Sequence, residues 1–420
     1  MNRAFKNLSL TAAFLSFFLS TRTTVGAQEP LQGPAGPEAR CAAIEALGAG
    51  GDEAAKESLV QALNDPDPAV QACAVRAAGR SGDPKAVETL LSGIEVYLNS
   101  AGSKGGYEDD LQARLNAIDS IWALGETGDA RLMNKLSKFY RESDDVLKIN
   151  LIISMGKLRG KAAPNLTAIA ASADESEAVR AAAFEMLDEL GQPAPDARLS
   201  ASKIPGIKKA DLIYTGGVLG TITGWGSGHM PVGHTGIFAG TEIKNGRINV
   251  VILDCVQNTL KPYGGVRNIY SWKNFTHYFK FPYYGNRTTI PKPTAAQRDL
   301  IVKTGLALGK LGLKYDDSHL SQKGPAAFDC VGYTEYLYEQ AGLDPTDSSF
   351  ESGLGWPLTP WEQFMSVKPN LQPRVPYARR AAPAPAASVF QSLSGLPEAF
   401  GVKDAALVEV KTDIHPEAVE

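Results

Sequence analysis

The sequence predicts two folded blocks in series behind a cleavable leader: an all-α helical solenoid, then an α+β domain. Three observations carry that reading. Residues 38–195 repeat a two-helix unit with a period near 30. Residues 205–370 change texture, trading alanines for short β-branched and aromatic runs set between glycines. Nine of the 26 prolines cluster in residues 30–37, the 190s and 371–386, as spacers between blocks would. A chain of 420 residues, 44% apolar and 21% charged, can bury cores in two or three domains. A net charge of −4, with no Lys/Arg-rich face, excludes nucleic-acid binding through general basic charge.

The leader comes first. Arg3 and Lys6 precede an apolar stretch from Leu8 to Leu19, and Val25-Gly26-Ala27 supplies small residues at a cleavage site. Residues 1–27 therefore read as a secretory signal. A membrane helix needs about 20 apolar residues, so no transmembrane anchor is expected. The mature chain is expected to be secreted or periplasmic, outside the reducing cytosol. Residues 28–37 form a linker.

The repeats follow. Ala42–Asp52, Ala72–Asp83, Ala117–Asp129 and Ile152–Gly160 are Ala/Leu/Ile-rich helices, each ending at a glycine: Gly48, Gly79, Gly125 and Gly156. The outer gaps are 31 residues and the middle gap 46, so the second repeat carries an insertion, visible as Ser100–Asp110. Each glycine precedes a turn and a second helix, such as Ala54–Leu63 or Leu132–Tyr140. Capping residues restart the cycle at Asp65-Pro66-Asp67-Pro68, Ser143-Asp144 and Asp174-Glu175-Ser176. The segment resembles short HEAT-like repeats, whose concave surface suits a protein partner, although a spacer or a cap on the next domain is the plainer reading. Cys41 and Cys73 fall on neighbouring helices one residue out of phase. They read as two buried small residues, with a disulfide as the alternative in an oxidising compartment.

After a linker at 196–204, residues 205–370 form the α+β block. Strands are expected at Asp211–Tyr214, His234–Gly240 and Ile248–Val256, the last two joined by an Asn245-Gly246 turn. Helices are expected at Ala295–Leu311 and from Cys330 to Ala341, stopped by Gly342. The repeats have a helical core of their own, so a fragment from about residue 200 to 370 is expected to fold alone and to keep hydrolysis of small substrates. The four cysteines and five histidines form no CxxC, HExxH or other metal-ligand spacing, so neither a metal nor a cofactor is expected.

Two fragments carry chemistry. His234 opens a strand in Gly233-His234-Thr235-Gly236-Ile237, and Cys330 opens a helix in Phe328-Asp329-Cys330-Val331-Gly332. A helix N-terminus favours thiolate over thiol, and an imidazole can shuttle the proton. The bland alternative, a buried cysteine and a satisfied histidine, stays open on spacing alone.

Ala210–Tyr214 followed by Gly233–Ile237 resembles one half of the NlpC-type cell-wall peptidases. Ala307–Tyr315 leading into Phe328-Asp329-Cys330 resembles the other. The reversed order of the halves resembles the circularly permuted papain-like amidases of the YaeF/YiiX group, related in arrangement to lecithin retinol acyltransferase. The resemblance implies that Cys330 is the nucleophile, His234 the base and Asp254 the residue that orients the imidazole. It also places Tyr315 near the nucleophile as an oxyanion donor, or as a core aromatic, and Asp329 against a substrate amine or as the helix cap. Val331 stands where many relatives have serine, which bears on peptidoglycan recognition.

Strand parity competes with Asp254. A strict two-residue turn pairs Lys244 with Arg247 and His234 with Gln257, which points to Cys255 or Gln257; a longer loop or one bulge restores Asp254. Two other stretches frame the site. The glycine-rich run 216–233, with Trp225 and His229, reads as a lid or a plain loop. Eight aromatics in 270–284 fill core and one cleft wall, or form a sugar or acyl platform, and His277 among them reads as structural. Residues 371–420 are expected to be disordered.

The function expected is an exported cysteine hydrolase of amide bonds, with a cell-wall peptide or muropeptide as substrate. The alternatives are an acyltransferase or thioesterase-type lipid hydrolase on the same fold, and a non-catalytic HEAT scaffold.

Overall fold

The computed structural model describes residues 36–48, 52–104, 111–159, 161–197, 206–217, 231–257, 264–289, 291–319, 322–346 and 358–366. The expected signal segment, nearly all of both linkers, part of the insertion, Trp225, His229 and the C-terminal tail lie outside the described residues.

Helices fill the first block: α1 (Pro37–Gly48), α2 (Glu53–Ala62), α3 (Pro68–Ser81), α4 (Pro84–Lys104), α5 (Leu111–Glu126), α6 (Met133–Arg141), α7 (Asp145–Lys157), α8 (Ala162–Ala171) and α9 (Glu177–Glu189). They form a two-helix repeat in which α1, α3, α5, α7 and α9 stack in one row. The aspartates after the repeat glycines start the second helices: Asp52 accepts the Ala55 N–H at 2.7 Å, and Asp83 accepts those of Lys85 and Ala86 at 3.0 Å. A cation on one helix reaches the start of the next stacked helix at three steps. Arg40 pairs with Asp65 at 2.8 Å, Arg114 with Asp144 at 2.7 Å, and Lys148 with Glu175 at 2.8 Å.

The repeat glycines do something other than stop helices. All four lie within the last three residues of their helices, and each touches the next helix in the row. A methyl at Gly48 would stand 2.8 Å from the Ala77 Cβ, one at Gly79 would stand 2.6 Å from the Ala123 carbonyl oxygen, and one at Gly125 would stand 2.8 Å from the Ser154 Cα. Their absent side chains let neighbouring helices close up. Cys41 and Cys73 also bridge this row, as a disulfide with Cα atoms 5.5 Å apart. The two-buried-residues reading is therefore corrected: adjacent helices packed this closely bring even out-of-phase positions within bridging distance.

The second block is a five-stranded antiparallel sheet of β1 (Asp211–Thr215), β2 (His234–Lys244), β3 (Arg247–Val256), β4 (Gly265–Ile269) and β5 (Tyr283–Arg287), in the order β4-β3-β2-β1-β5. One short helix, α10 (Trp272–Phe275), lies between β4 and β5. After β5 come α11 (Ala295–Leu308), a short parallel pair β6 (Lys314–Tyr315) and β7 (Ala327–Phe328), α12 (Cys330–Gln340) and α13 (Pro360–Ser366).

Alternation gives the sheet two faces. Leu253 points at α11 and α12, where a methyl on Gly305 would strike both Leu253 and Leu337. Phe238 points the other way and stacks on Trp272 at 6.5 Å. On that second side the cover is the helical row itself. Trp272 donates its indole N–H to the Ala178 carbonyl at 3.1 Å. Glu185 accepts the backbone N–H groups of Trp272 and Lys273 at 2.7 and 2.9 Å, although burial pushes its carboxyl up to about 7. The Asn150 amide brackets the backbone of Tyr283, and the Tyr284 hydroxyl donates to Asp119 at 2.6 Å.

The apolar core runs without a break from Ile44 to Phe364. The expectation of a separately cored block at 205–370 is therefore corrected. A sheet that is apolar on both faces needs two covers, and its own helices supply only one.

Candidate active site

The β2–β3 hairpin decides which side chains share a face. Its turn is the tight one: Lys244 pairs with Arg247, and Asn245 and Gly246 both take positive φ, 54° and 69°. Continued without interruption, that register would set His234 against Gln257. Ala239 interrupts it. Gly240 pairs with Val251 but Phe238 pairs with Ile252, so Ala239 is the extra residue of a bulge, and Gly236 faces Asp254. The tight turn and the bulge coexist, and Asp254 joins His234 on one face while Cys255 and Gln257 turn away.

His234 and Asp254 are both buried, with the ring Nε2 3.2 Å from a carboxylate oxygen. Directly across from Asp254 on β4, Arg267 clamps the carboxylate with two hydrogen bonds, 2.7 Å from Nε and 2.9 Å from Nη2. Burial opposes ionisation of Asp254, but the Arg267 guanidinium and the bond from His234 outweigh it and hold the carboxyl well below the usual carboxylate range. An ionised carboxylate only accepts, so the Nε2–H is the donor of this bond and Nδ1 points away from it.

Two rings pack on the imidazole, Phe275 at 5.4 Å and His277 at 5.2 Å. Burial, followed by the adjacent His234, pushes His277 down to about 3, so it stays neutral there. Of the aromatics in 270–284, Trp272, Phe275, Phe279, Tyr283 and Tyr284 are core, Phe281 is half-buried, and Tyr270 and Tyr278 are exposed.

Cys330 is the first residue of α12, and its sulfur meets the backbone N–H groups of Thr235, Val331 and Cys330 itself. The expected thiolate is corrected. Burial pushes the Cys330 thiol up, the Asp329 carboxylate adds to this, and the three N–H groups do not offset them. The resting group is a neutral thiol. Among the described residues no hydrogen bond joins it to His234; it lies instead against Thr235, the next residue along. Such bonds are often open before substrate binds.

Tyr315, buried and kept protonated by burial, hydrogen-bonds the Cys330 thiol. Asp329 serves as the helix cap: one oxygen accepts the Gly332 N–H at 2.7 Å, and the other accepts from Gln322 and lies 2.9 Å from His319 Nδ1. Cys255 donates to the Phe328 carbonyl at 3.1 Å, and burial pushes its thiol well up. Gln257 follows the end of β3, half-buried. No three His, Cys, Asp or Glu among the described residues could hold a metal ion.

Sequence reasoning missed Arg267, His319 and the contact of His277 with His234. Arg267 lies on a strand whose register no local signal reveals. His319 was within reach, since it stands four residues after Tyr315, and its ring packs edge-on against that tyrosine at 5.8 Å.

Residues 31–96 match the family model for HEAT repeats, a family whose members commonly mediate protein interactions. Among curated proteins, none matches the chain. Among solved structures, human deoxyhypusine hydroxylase in complex with glycerol is 19% identical and covers 39% of this chain and 72% of its own, with a TM-score of 0.18. So slight a likeness bears on neither fold nor activity. No helix among the described residues is long and apolar enough to cross a membrane.

Proposed function

We propose that the chain is an exported cysteine hydrolase of amide bonds on a permuted papain-like domain, with HEAT-like repeats built against it. The observation that carries the reading is the His234–Asp254–Arg267 array, brought into register by one bulge next to the helix start that bears Cys330. A buried histidine held by an ionised carboxylate serves as an oriented base, and Cys330, whose sulfur lies against the backbone N–H of Thr235, the residue after that histidine, serves as the nucleophile.

In this mechanism His234 Nδ1 takes the Cys330 proton as the sulfur attacks the substrate carbonyl. The resting thiol is neutral, so proton transfer accompanies attack. The Tyr315 hydroxyl and backbone N–H groups at the start of α12 hold the developing oxyanion. Imidazolium then protonates the departing amine, the C–N bond breaks, and a thioester remains on Cys330. Water, deprotonated by His234, cleaves the thioester to carboxylic acid and free thiol.

Export is supported by the leader-like first 27 residues and by the Cys41–Cys73 disulfide, which suits an oxidising compartment. The substrate class proposed is a cell-wall peptide. The test incubates the full chain and Cys330→Ala with purified cell-wall fragments and a panel of acyl esters, reading products by mass spectrometry. New amines and carboxylates from peptide, lost in Cys330→Ala with an unchanged melting temperature, are expected. Turnover of esters alone would move the assignment to acyl-ester chemistry, and activity retained in Cys330→Ala would overturn it.

A further inference from the structure

The two lips of the candidate site belong to elements far apart in sequence, β2 and α12, and backbone pairing does not join them. A side chain from α13 does. Gln363 is fully buried, and every polar atom of its amide is engaged. Its Oε1 accepts from the Thr235 hydroxyl at 3.1 Å and from the Tyr214 hydroxyl at 3.1 Å. Its Nε2 donates to the Thr334 hydroxyl at 3.0 Å and to Glu335 at 2.7 Å. Thr334 in turn donates to the carbonyl of Val331, the residue after the nucleophile, at 2.8 Å.

One amide thus bridges the residue after His234 to the first turn after Cys330. Thr235 is engaged twice: its hydroxyl goes to Gln363, and its backbone N–H goes to the Cys330 sulfur.

A second tie comes from the residue that leads into α13. The Leu358 N–H donates to Gln322 Oε1 at 2.9 Å, and Gln322 Nε2 donates to the Leu358 carbonyl at 2.8 Å and to Asp329. The Leu358 side chain packs on Cys330 and Val331. Phe364 fixes the same helix to the sheet, under the Arg287 guanidinium at 3.6 Å and edge-on to Tyr214 at 5.1 Å.

A buried amide is costly unless all its hydrogen bonds are made, and here they are made to the two halves of the site. We propose that residues 358–366 are a clasp that sets the spacing between the His234 strand and the Cys330 helix, with Gln363 as its positioning residue. This rests on the cysteine hydrolase reading. It adds that the catalytic pair is assembled by a third segment that contributes no reacting group.

The test uses the full chain and reads Cys330 directly. Iodoacetamide alkylation is followed by peptide mass spectrometry from pH 5 to 10, alongside amide hydrolysis and thermal melting. The variants are Gln363→Leu, Thr235→Val, Thr235→Ser and the Gln363→Leu/Thr235→Val pair. A misplacement of the lips predicts that Gln363→Leu and Thr235→Val each lower kcat by about tenfold to a hundredfold with KM nearly unchanged. It also moves Cys330 alkylation to higher pH, because a displaced Thr235 N–H no longer favours the thiolate. Thr235→Ser should restore both, and the double variant should be no worse than the worse single one.

A lower melting temperature with unchanged kcat and an unchanged alkylation profile would make Gln363 merely structural and overturn the clasp. So would single effects that multiply in the double variant. If Gln363→Leu fails to fold, Thr235→Val against Thr235→Ser decides, and a valine variant that behaves like the serine variant overturns it. Hydrolysis surviving in Cys330→Ala would instead overturn the hydrolase reading, while the alkylation comparison would still decide the clasp.

Discussion

The helical row and the sheet solve the same problem, holding neighbouring elements together, by opposite means. In the row, each glycine near a helix end lets the next helix approach, and at three of the four steps a cation reaches the next helix start. The device is local and recurs. In the sheet the ties are single and non-local: Asn150 to Tyr283, Arg267 to Asp254, Gln363 to Thr235. A repeated tie can weaken at one step and survive at the others. A single tie has no substitute, and the candidate chemistry sits entirely among single ties.

The largest effect follows from the one place where the two regions are not separable. Residues 205–370 expressed without the row would expose the sheet face that carries Phe238 and Trp272. Such a fragment is expected to be insoluble, or to lack a cooperative melt. A soluble, cooperatively melting and active fragment would restore the picture of two independent domains.

Next in size is the orienting carboxylate. Asp254→Asn removes the charge that fixes the His234 tautomer and should lower kcat by about 10²- to 10⁴-fold with KM little changed. Gln257→Ala, on the other face, should stay within about threefold, the range of a minor surface change. The reverse ranking in steady-state kinetics would mean that Ala239 does not bulge in solution.

The smallest effect belongs to the row. Gly79→Ala places a methyl 2.6 Å from the Ala123 carbonyl oxygen and should cost about 1–3 kcal/mol of stability by urea unfolding. The kcat of the proposed hydrolysis should not change. A loss of kcat without loss of stability would show that strain in the row reaches the site.

These contrasts also explain what could be read beforehand. The row was legible because its signals recur: the glycine spacing marks the ends of α1, α3, α5 and α7 within two residues, and the restarting acidic residues lie just before α3, α7 and α9. The purpose of those glycines was not, since Gly79 looks the same whether it ends a helix or meets Ala123. At the site, Cys330 and His234 were visible from residue type and neighbours. Asp254 was visible only by resemblance, because the local rule for an Asn-Gly turn pointed to the other face and nothing in the letters around Ala239 announces a bulge. Arg267 and Gln363 carry no local signature at all. Their partners are fixed by strand register in one case and by a helix arriving more than 120 residues later in the other. The thiol's protonation was misjudged because the helix end was weighed and the burial was not.

The Ala239 bulge has a consequence for which residues the hairpin can spare. On β2 the side chains that face the helical row are odd-numbered towards the tip, where Thr241 bonds Glu177, and even-numbered towards the base, where Phe238 meets Trp272 and His234 meets Phe275. Ala239 is the spacer that permits this change of parity. Since Gly240 opposite Val251 and Phe238 opposite Ile252 are already consecutive on β3, removing Ala239 alone would close an ordinary ladder with both ends in place. The residue whose bulge brings Asp254 onto the face of His234 is thus one the hairpin could lose without displacing Asp254. What would go with it is the local bend.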